Sequence, residues 1–168
     1  MQKFVQHWGE MGTKWGINRS VAQIHALLYV AGDPLTADEL VGHLEIARSN
    51  VSMSLKELNG WGLIRTVHIK GDRRDHFETQ ADVWEMFKII MIERQRREID
   101  PTVQLLNDCV EKSAAKEAAA NPERHQRLLA MQEFLSLSAS WGHRTSALSA
   151  AKMKKLAKLG DTIFRLID

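Results

Sequence analysis

The chain has 168 residues, of which 44% are hydrophobic and 26% charged, and its formal net charge is +2. These proportions are ordinary for a globular protein and exclude wholesale disorder, while 10 glycines and 3 prolines exclude a fibrous chain. Basic and acidic residues number nine each up to Gln80 and fourteen and twelve after it, so bulk charge gives no indication of nucleic-acid binding.

Apolar runs and cysteine usage favour a soluble protein. The longest apolar runs, at 26–31 and 89–92, fall far short of the roughly 20 residues that a membrane-spanning helix needs. The first ten residues show no basic start followed by an apolar core, so we expect no secretory signal. The only cysteine, Cys109, cannot form a disulfide within one chain, and its acidic neighbours favour an inert helix residue over a reactive thiol. We expect a cytoplasmic protein.

Helices are predicted over most of the first 60 residues. A short one over 1–11 would carry Phe4, Val5 and Trp8 on one side, with Gly12 and Gly16 interrupting it. The next begins at an N-cap, Asn18, and stops at Gly32-Asp33-Pro34. A capping box, Thr36-Ala37-Asp38-Glu39, opens a helix of about two turns, and a further helix follows from about Arg48 to Asn59.

The hydrophobic period then changes from helical to alternating. The segment L-I-R-T-V-H-I and the shorter H-F-E-T predict two strands, joined by the charged turn Lys70-Gly71-Asp72-Arg73-Arg74-Asp75. Three helices followed by such a hairpin are typical of the winged helix-turn-helix fold, which we assign to residues 17–80.

The rest of the chain is predicted to be helical. Residues 83–92 are apolar nearly all round, so we expect that helix to be buried. Asp100-Pro101 and Asn121-Pro122 each predict an N-cap followed by proline, Trp141-Gly142 predicts a helix end, and a lysine-rich helix follows from about Ser146. The alanine-rich segment 113–120 is interpreted as the end of a helix. The fold class is therefore mainly α with a small β-hairpin wing.

Six segments in chain order carry a family resemblance: G-I-N-R-S-V-A-Q-I-H-A-L-L-Y, P-L-T-A-D-E-L, R-S-N-V-S-M-S-L-K-E-L, W-G-L-I-R, G-D-R-R-D-H-F-E and D-V-W-E-M-F. They resemble MarR-like winged-helix repressors, and more closely the GbsR-type branch, over about Trp15 to Pro101. The resemblance implies a homodimeric, DNA-binding transcriptional regulator, often a repressor. We accordingly expect a dimerisation arm at 1–16, the DNA-binding domain at 17–80, and a helical dimerisation and effector region at 81–168.

The third helix of the predicted domain carries residues suited to the major groove. With Val51, Leu55 and Leu58 turned inward, a polar face remains that can read base edges, and the residue at the helix start can reach phosphate. The candidates are Arg48, Ser49, Asn50, Ser52, Met53 and Lys56. The alternative is an ordinary solvated polar face.

The hairpin tip is suited to the minor groove, where the negative potential of DNA is strongest. In MarR-like proteins the wing carries an Asp-x-Arg pattern in which the acid braces the tip and the arginine reaches DNA. Asp72-Arg73-Arg74 fits that pattern, and Lys70 is a weaker phosphate candidate. The alternative is a charged turn that keeps the hairpin soluble. His68 and His76 lie on the two strands, but two histidines without a third ligand do not predict a metal site.

Five tryptophans are many for this length. Aromatic faces attract quaternary ammonium ions, and choline sensing in GbsR relatives makes Trp8, Trp15, Trp61 and Trp84 candidate effector-binding residues, although core packing is the simpler interpretation. No cofactor and no catalytic residue set is predicted. The main alternative function is a winged-helix protein–protein interaction module without specific DNA binding.

Overall fold

The computed structural model describes residues 1–113 and 121–167, which are mainly helical with one small antiparallel sheet. This confirms the predicted fold class. The chain divides into two compact units, Met1–Met86 and Phe87–Asp168. Among the described residues, no helix is both long and apolar enough to cross a membrane.

The first unit contains the helix-turn-helix elements and the hairpin. Its elements are α1 (Gln2–Lys14), α2 (Arg19–Ala31), β1 (Leu35–Thr36), α3 (Ala37–Leu44), α4 (Arg48–Gly60), β2 (Ile64–Val67) and β3 (His76–Thr79). Helix α5 (Val83–Arg94) begins in the first unit and ends in the second. It leads into a π-helical turn (Gln95–Ile99), α6 (Asp100–Ser113), α7 (Pro122–Ser146) and α8 (Ala150–Ile167).

Predicted helix ends are confirmed at four capping sites. Asn18 accepts a hydrogen bond from the Ser20 amide at 2.8 Å, and Gly32 ends α2 in the left-handed conformation at φ 75°. Thr36 and Glu39 form both bonds of the capping box, and Asn121 caps α7 by accepting from the Arg124 amide at 3.1 Å. These local signals therefore set the start of α2, α3 and α7 and the end of α2.

Helix α2 lies in the core of the first unit and is tied to the hairpin by a buried histidine. Ile24 of α2 is fully buried, and His25 is 5% exposed. The Thr79 hydroxyl donates to the Leu63 carbonyl at 2.8 Å, so the His25 Nε2–H donates to Thr79 Oγ1, 3.2 Å away. Burial lowers the pKa of His25 to about 4, and its ring is therefore neutral at pH 7.

The prediction that Gly12 interrupts the first helix is wrong. Helix α1 continues to Lys14, and Gly12 is buried where α1 crosses α2. A Cβ at Gly12 would overlap the side chain of Ala22, so the glycine permits a close helix–helix approach rather than a turn. Gly16, at φ 77°, does lie outside the helix as predicted.

The sheet has one strand more than the predicted hairpin. Strand β1 pairs with β3 in antiparallel register, Leu35 opposite Phe77 and Thr36 opposite His76, which gives the order β1-β3-β2. The two-residue strand was missed because its sequence also reads as the start of the capping box. It joins the beginning of α3 to the base of the wing.

The prediction that residues 83–92 are buried on all sides is wrong for the single chain. Met86 of α5 is buried, whereas Val83, Phe87 and Ile92 are 45–50% exposed. The segment is apolar nearly all round, as its sequence shows, but a single chain covers only part of the surface of α5.

Two predicted helix boundaries in the second unit are also corrected. Asp100 is not an N-cap, because the Asp100 amide donates to the Gln95 carbonyl in the π-helical turn and the helix continues. The wider turn relieves the clash that Pro101 would cause in a regular α-helix. Gly142 does not end α7 but is buried against Gln95, where a Cβ would meet the amide oxygen. The alanine-rich segment 114–120 lies outside the described residues.

The stability of the protein should fall as the pH is lowered from 6.5 to 4. In this range the unfolded chain binds a proton at residue 25 near its ordinary pKa of 6.5, whereas folded His25 stays neutral down to about 4. Protonation thus favours the unfolded state, by about 3 kcal/mol over the window. Urea denaturation followed by tryptophan fluorescence at several pH values measures the slope. His25→Gln retains an amide donor for Thr79 and should make the free energy of unfolding less dependent on pH. Equal pH slopes in the two proteins would contradict the assignment of this dependence to His25.

Candidate nucleic-acid interface

Helix α4 presents its polar face to solvent, as the sequence predicts. Val51, Leu55 and Leu58 are buried against the first unit. The opposite side carries the exposed residues Ser49, Asn50, Ser52, Met53 and Lys56, and Met53 is 71% exposed. A helix fixed on one side and exposed over such a face has the geometry that major-groove reading requires. Contact of these exposed α4 residues with DNA stays a prediction.

Arg48 begins α4 and is exposed, but it is already paired. Its guanidinium forms an ion pair with the carboxylate of Asp38 on α3, and both side chains are about 60% exposed. An exposed pair of this kind contributes little stability and exchanges easily for another anion. The ion pair between Asp38 and Arg48 is not predicted by the sequence, because Asp38 lies within the capping-box motif and nothing local indicates that Arg48 comes close to it.

The tip of the wing is held by a dense set of hydrogen bonds between Asp72 and Arg74. The Arg74 amide and Nε each donate to the Asp72 carboxylate at 3.0 Å, and Nη2 donates to it at 2.5 Å. These bonds hold the pKa of Asp72 far below its ordinary value, because they stabilise the charged carboxylate. Asp72 thus bonds to both the backbone and the side chain of Arg74, which is the geometry that a bracing role requires, and the role itself stays a prediction.

The two wing arginines differ in their surroundings. Arg74 is committed to Asp72, whereas Arg73 is exposed and forms no ion pair or hydrogen bond with any residue that the structure describes. Lys70 is also exposed, next to Gly71 at φ 91°. Arg73 is therefore the more available cation, although both arginines lie at the tip.

The two strand histidines have different partners and do not converge. His68 Nδ1 lies 3.8 Å from Asp75, whereas His76 is buried and its Nδ1 lies 3.0 Å from the Arg74 carbonyl oxygen. Within the described ranges, no group of three or more metal-binding side chains occurs. The contact of His76 with the wing was missed, because sequence alternation gives no measure of how close a strand residue lies to a turn.

An aromatic cluster and an apolar cavity lie beside α1. The ring centroids of Phe4 and Trp8, and of Trp8 and Trp15, are each 5.5 Å apart. A cavity of about 200 Å³ next to them is lined by Phe4, Trp8, His25, Ala26, Tyr29, Val83 and Met86. Trp61 lies at the end of α4 and Trp84 at the start of α5. Of the four candidate tryptophans, Trp8 alone is among the described residues that line this cavity.

Comparison with known proteins agrees with this geometry. Residues 15–75, from the end of α1 to the wing, match the model of the MarR family. The chain is also 24% identical, over 94 residues, to the HTH-type transcriptional repressor GbsR of Bacillus subtilis (strain 168). That match covers 56% of this chain and 52% of the relative, so the chain spans about half of the relative's length.

A solved structure described as a transcriptional regulator has the same fold. It aligns with a TM-score of 0.62 and 21% identity, over 86% of this chain and 94% of that chain. Residues of the first unit therefore form a winged helix-turn-helix domain. This domain is MarR-like, and the predicted resemblance to MarR-like winged-helix regulators of the GbsR type is confirmed. Both named relatives are regulators of transcription, in agreement with the interpretation of the chain as a non-enzyme.

Proposed function

We propose that the protein is a homodimeric, DNA-binding transcriptional repressor that reads a pseudo-palindromic operator. The observation that carries the proposal is the pairing, in one MarR-like unit, of an exposed polar face on α4 with a braced wing that presents Arg73 and Arg74. The assignment as a repressor follows from the similarity to GbsR of Bacillus subtilis, which is a transcriptional repressor.

Helix α4 would supply sequence recognition in the major groove. The amide of Asn50 can form two hydrogen bonds with adenine, the serine hydroxyls can bond to bases or phosphate, and Met53 can contact a thymine methyl group. Lys56 and Arg48 would bind backbone phosphate, with Arg48 exchanging its pairing to Asp38 for a phosphate.

The wing would supply affinity in the minor groove. A guanidinium group there meets the most negative potential on the duplex, and this interaction depends on groove shape more than on a particular base. Because the net charge of the chain is only +2, the attraction must come from locally placed cations such as Lys70, Arg73 and Arg74.

Dimerisation is supported by apolar side chains that the single chain leaves in water. On α7, Met131, Phe134, Leu137 and Trp141 follow one another along one face and are 52–71% exposed. An apolar patch of this extent is typical of a protein interface. A twofold dimer would address two half-sites about 34 Å apart, which one winged helix cannot do.

The proposal also includes a small-molecule effector bound in the cavity beside α1. The aromatic rings of Phe4, Trp8 and Tyr29 line it, and among the described residues of the lining no side chain is acidic or basic apart from the neutral His25. Aromatic faces in an apolar setting favour a quaternary ammonium compound. A ligand there would touch α1, α2 and α5 together and so could shift the conformational equilibrium of the unit.

Arg73→Ala/Arg74→Ala should weaken DNA binding for all sequences and reduce its dependence on salt, because phosphate and groove contacts are lost. Fluorescence anisotropy with DNA from upstream of its own gene, at two salt concentrations, measures both effects.

Asn50→Ala is the contrasting variant for the same titration. It should relax discrimination at one base position by about 1–3 kcal/mol and leave the salt dependence unchanged. Unchanged base preference would refute the placement of α4. If the folded, dimeric wild type bound no DNA even at low salt, the protein–protein interaction module would be the better assignment.

Leu137→Glu should convert the dimer to a monomer, because it places a charge in the apolar face of α7. Analytical ultracentrifugation measures the change. Ser140→Glu adds the same charge on the exposed polar side of α7 and should leave the dimer intact. A wild type that sediments as a monomer would exclude the homodimer.

Tetramethylammonium chloride, used as the probe, should quench tryptophan fluorescence saturably, and sodium chloride at equal concentration should not. Trp8→Leu should abolish the saturable change, because Trp8 lines the cavity. Trp61→Leu is the matched control and should retain it. Loss of the response in both variants, or its absence in the wild type, would argue against this cavity as the effector site.

A further inference from the structure

A buried histidine lies directly beneath the wing. His76, the first residue of β3, is 5% exposed, although it follows the charged turn directly in sequence. Its ring contacts the turn at two points: Nδ1 lies 3.0 Å from the Arg74 carbonyl oxygen, and Nε2 lies 3.6 Å from Asp72 Oδ2. One ring therefore contacts both residues of the Asp72–Arg74 brace.

The chemistry of these contacts fixes the position of a proton. A backbone carbonyl can only accept a hydrogen bond, so His76 Nδ1 carries a proton and donates a hydrogen bond to the Arg74 carbonyl oxygen. Removing this donor takes from the Arg74 carbonyl the hydrogen bond that the folded protein gives it. The bond thus holds the backbone of Arg74, while Asp72 holds its side chain.

His76 also connects the wing to the helix-turn-helix. It lies opposite Thr36 of β1 and opposite Val67 of β2 in the sheet register. Thr36 is the N-cap of α3 and is bonded to Glu39, whose lowered pKa reflects mainly the Thr36 bonds and, less strongly, the nearby charge of Arg74. The sheet thereby places a rigid support, formed by β1 and the capping box, next to the base of the wing.

We propose that His76 is a positioning residue for the wing, which holds the turn in the shape that presents Arg73 and Arg74 to DNA. This inference rests on the proposed function. His76 is buried and does not itself contact DNA, and it acts by holding the Arg74 carbonyl through the hydrogen bond from its Nδ1. Without it, the arginines would have to be ordered at the moment of binding, which costs affinity.

Two substitutions separate the contacts of the two ring nitrogens. His76→Asn places its amide nitrogen near the position of Nδ1 and can still donate to the Arg74 carbonyl. His76→Gln places its amide nitrogen near the position of Nε2 and cannot reach that carbonyl in the same way. Asparagine should retain most of the DNA affinity, whereas glutamine should lower the affinity about tenfold, which corresponds to the loss of about one hydrogen bond.

The binding assay uses the full chain and a mixed-sequence duplex of about 30 base pairs, because wing contacts require no particular operator. Thermal unfolding by circular dichroism establishes the temperature at which every variant is folded, and anisotropy is measured below it. His76→Gln should also reduce the salt slope, as expected when wing cations no longer engage the DNA.

A double-mutant cycle with Arg73→Ala/Arg74→Ala distinguishes positioning from general damage. In that background His76→Gln should have no further effect, because the arginines it positions are gone. A further tenfold loss in that background, or equal losses for asparagine and glutamine in the wild-type background, would overturn the positioning role. Absence of salt-dependent binding by the wild type would instead overturn the proposed function, and the inference with it.

Discussion

The burial of α2 at the centre of the first unit is the constraint on which the candidate DNA-binding surface depends. Ile24 and its apolar neighbours fix this helix, and three parts of the unit are attached to it. Helix α1 approaches it closely at Gly12, α4 packs against it through its apolar side, and the hairpin is tied to it by the bond between His25 and Thr79. The outward face of α4 is exposed because its other face is held by this core.

The wing shows how an almost neutral chain can present local positive charge. Asp72 neutralises much of the charge of Arg74, yet in doing so it fixes the turn and leaves Arg73 exposed at the tip. A flexible turn with two unrestrained arginines would have more charge available but would lose more conformational entropy on binding. The Asp72 carboxylate therefore orders the turn but weakens the electrostatic attraction of the wing tip for DNA.

The sequence predicts those parts of the fold that are determined by local signals. Asn18, Gly32 and the Thr36–Glu39 capping box each act within one turn of the chain, and the helices they bound occur where predicted. The failures concern residues whose role depends on distant neighbours. Gly12 and Gly142 were read as breaks, but both are positions where another segment comes close. The bond from His76 to Arg74 likewise depends on the wing bending back over β3.

Two polar contacts in the second unit meet at the carboxylate of Asp100. The amide of Gln95 donates to Asp100 at 2.7 Å, and His143 Nε2 lies 3.0 Å from the same carboxylate oxygen. Directed bonds of this kind, unlike apolar packing, are lost when a helix rotates or slips. The bond from His143 joins α7 to Asp100, and α7 lies with Ala139 and Gly142 buried and with Phe134 and Leu137 exposed. This exposed apolar face is the surface that the proposed homodimer would bury.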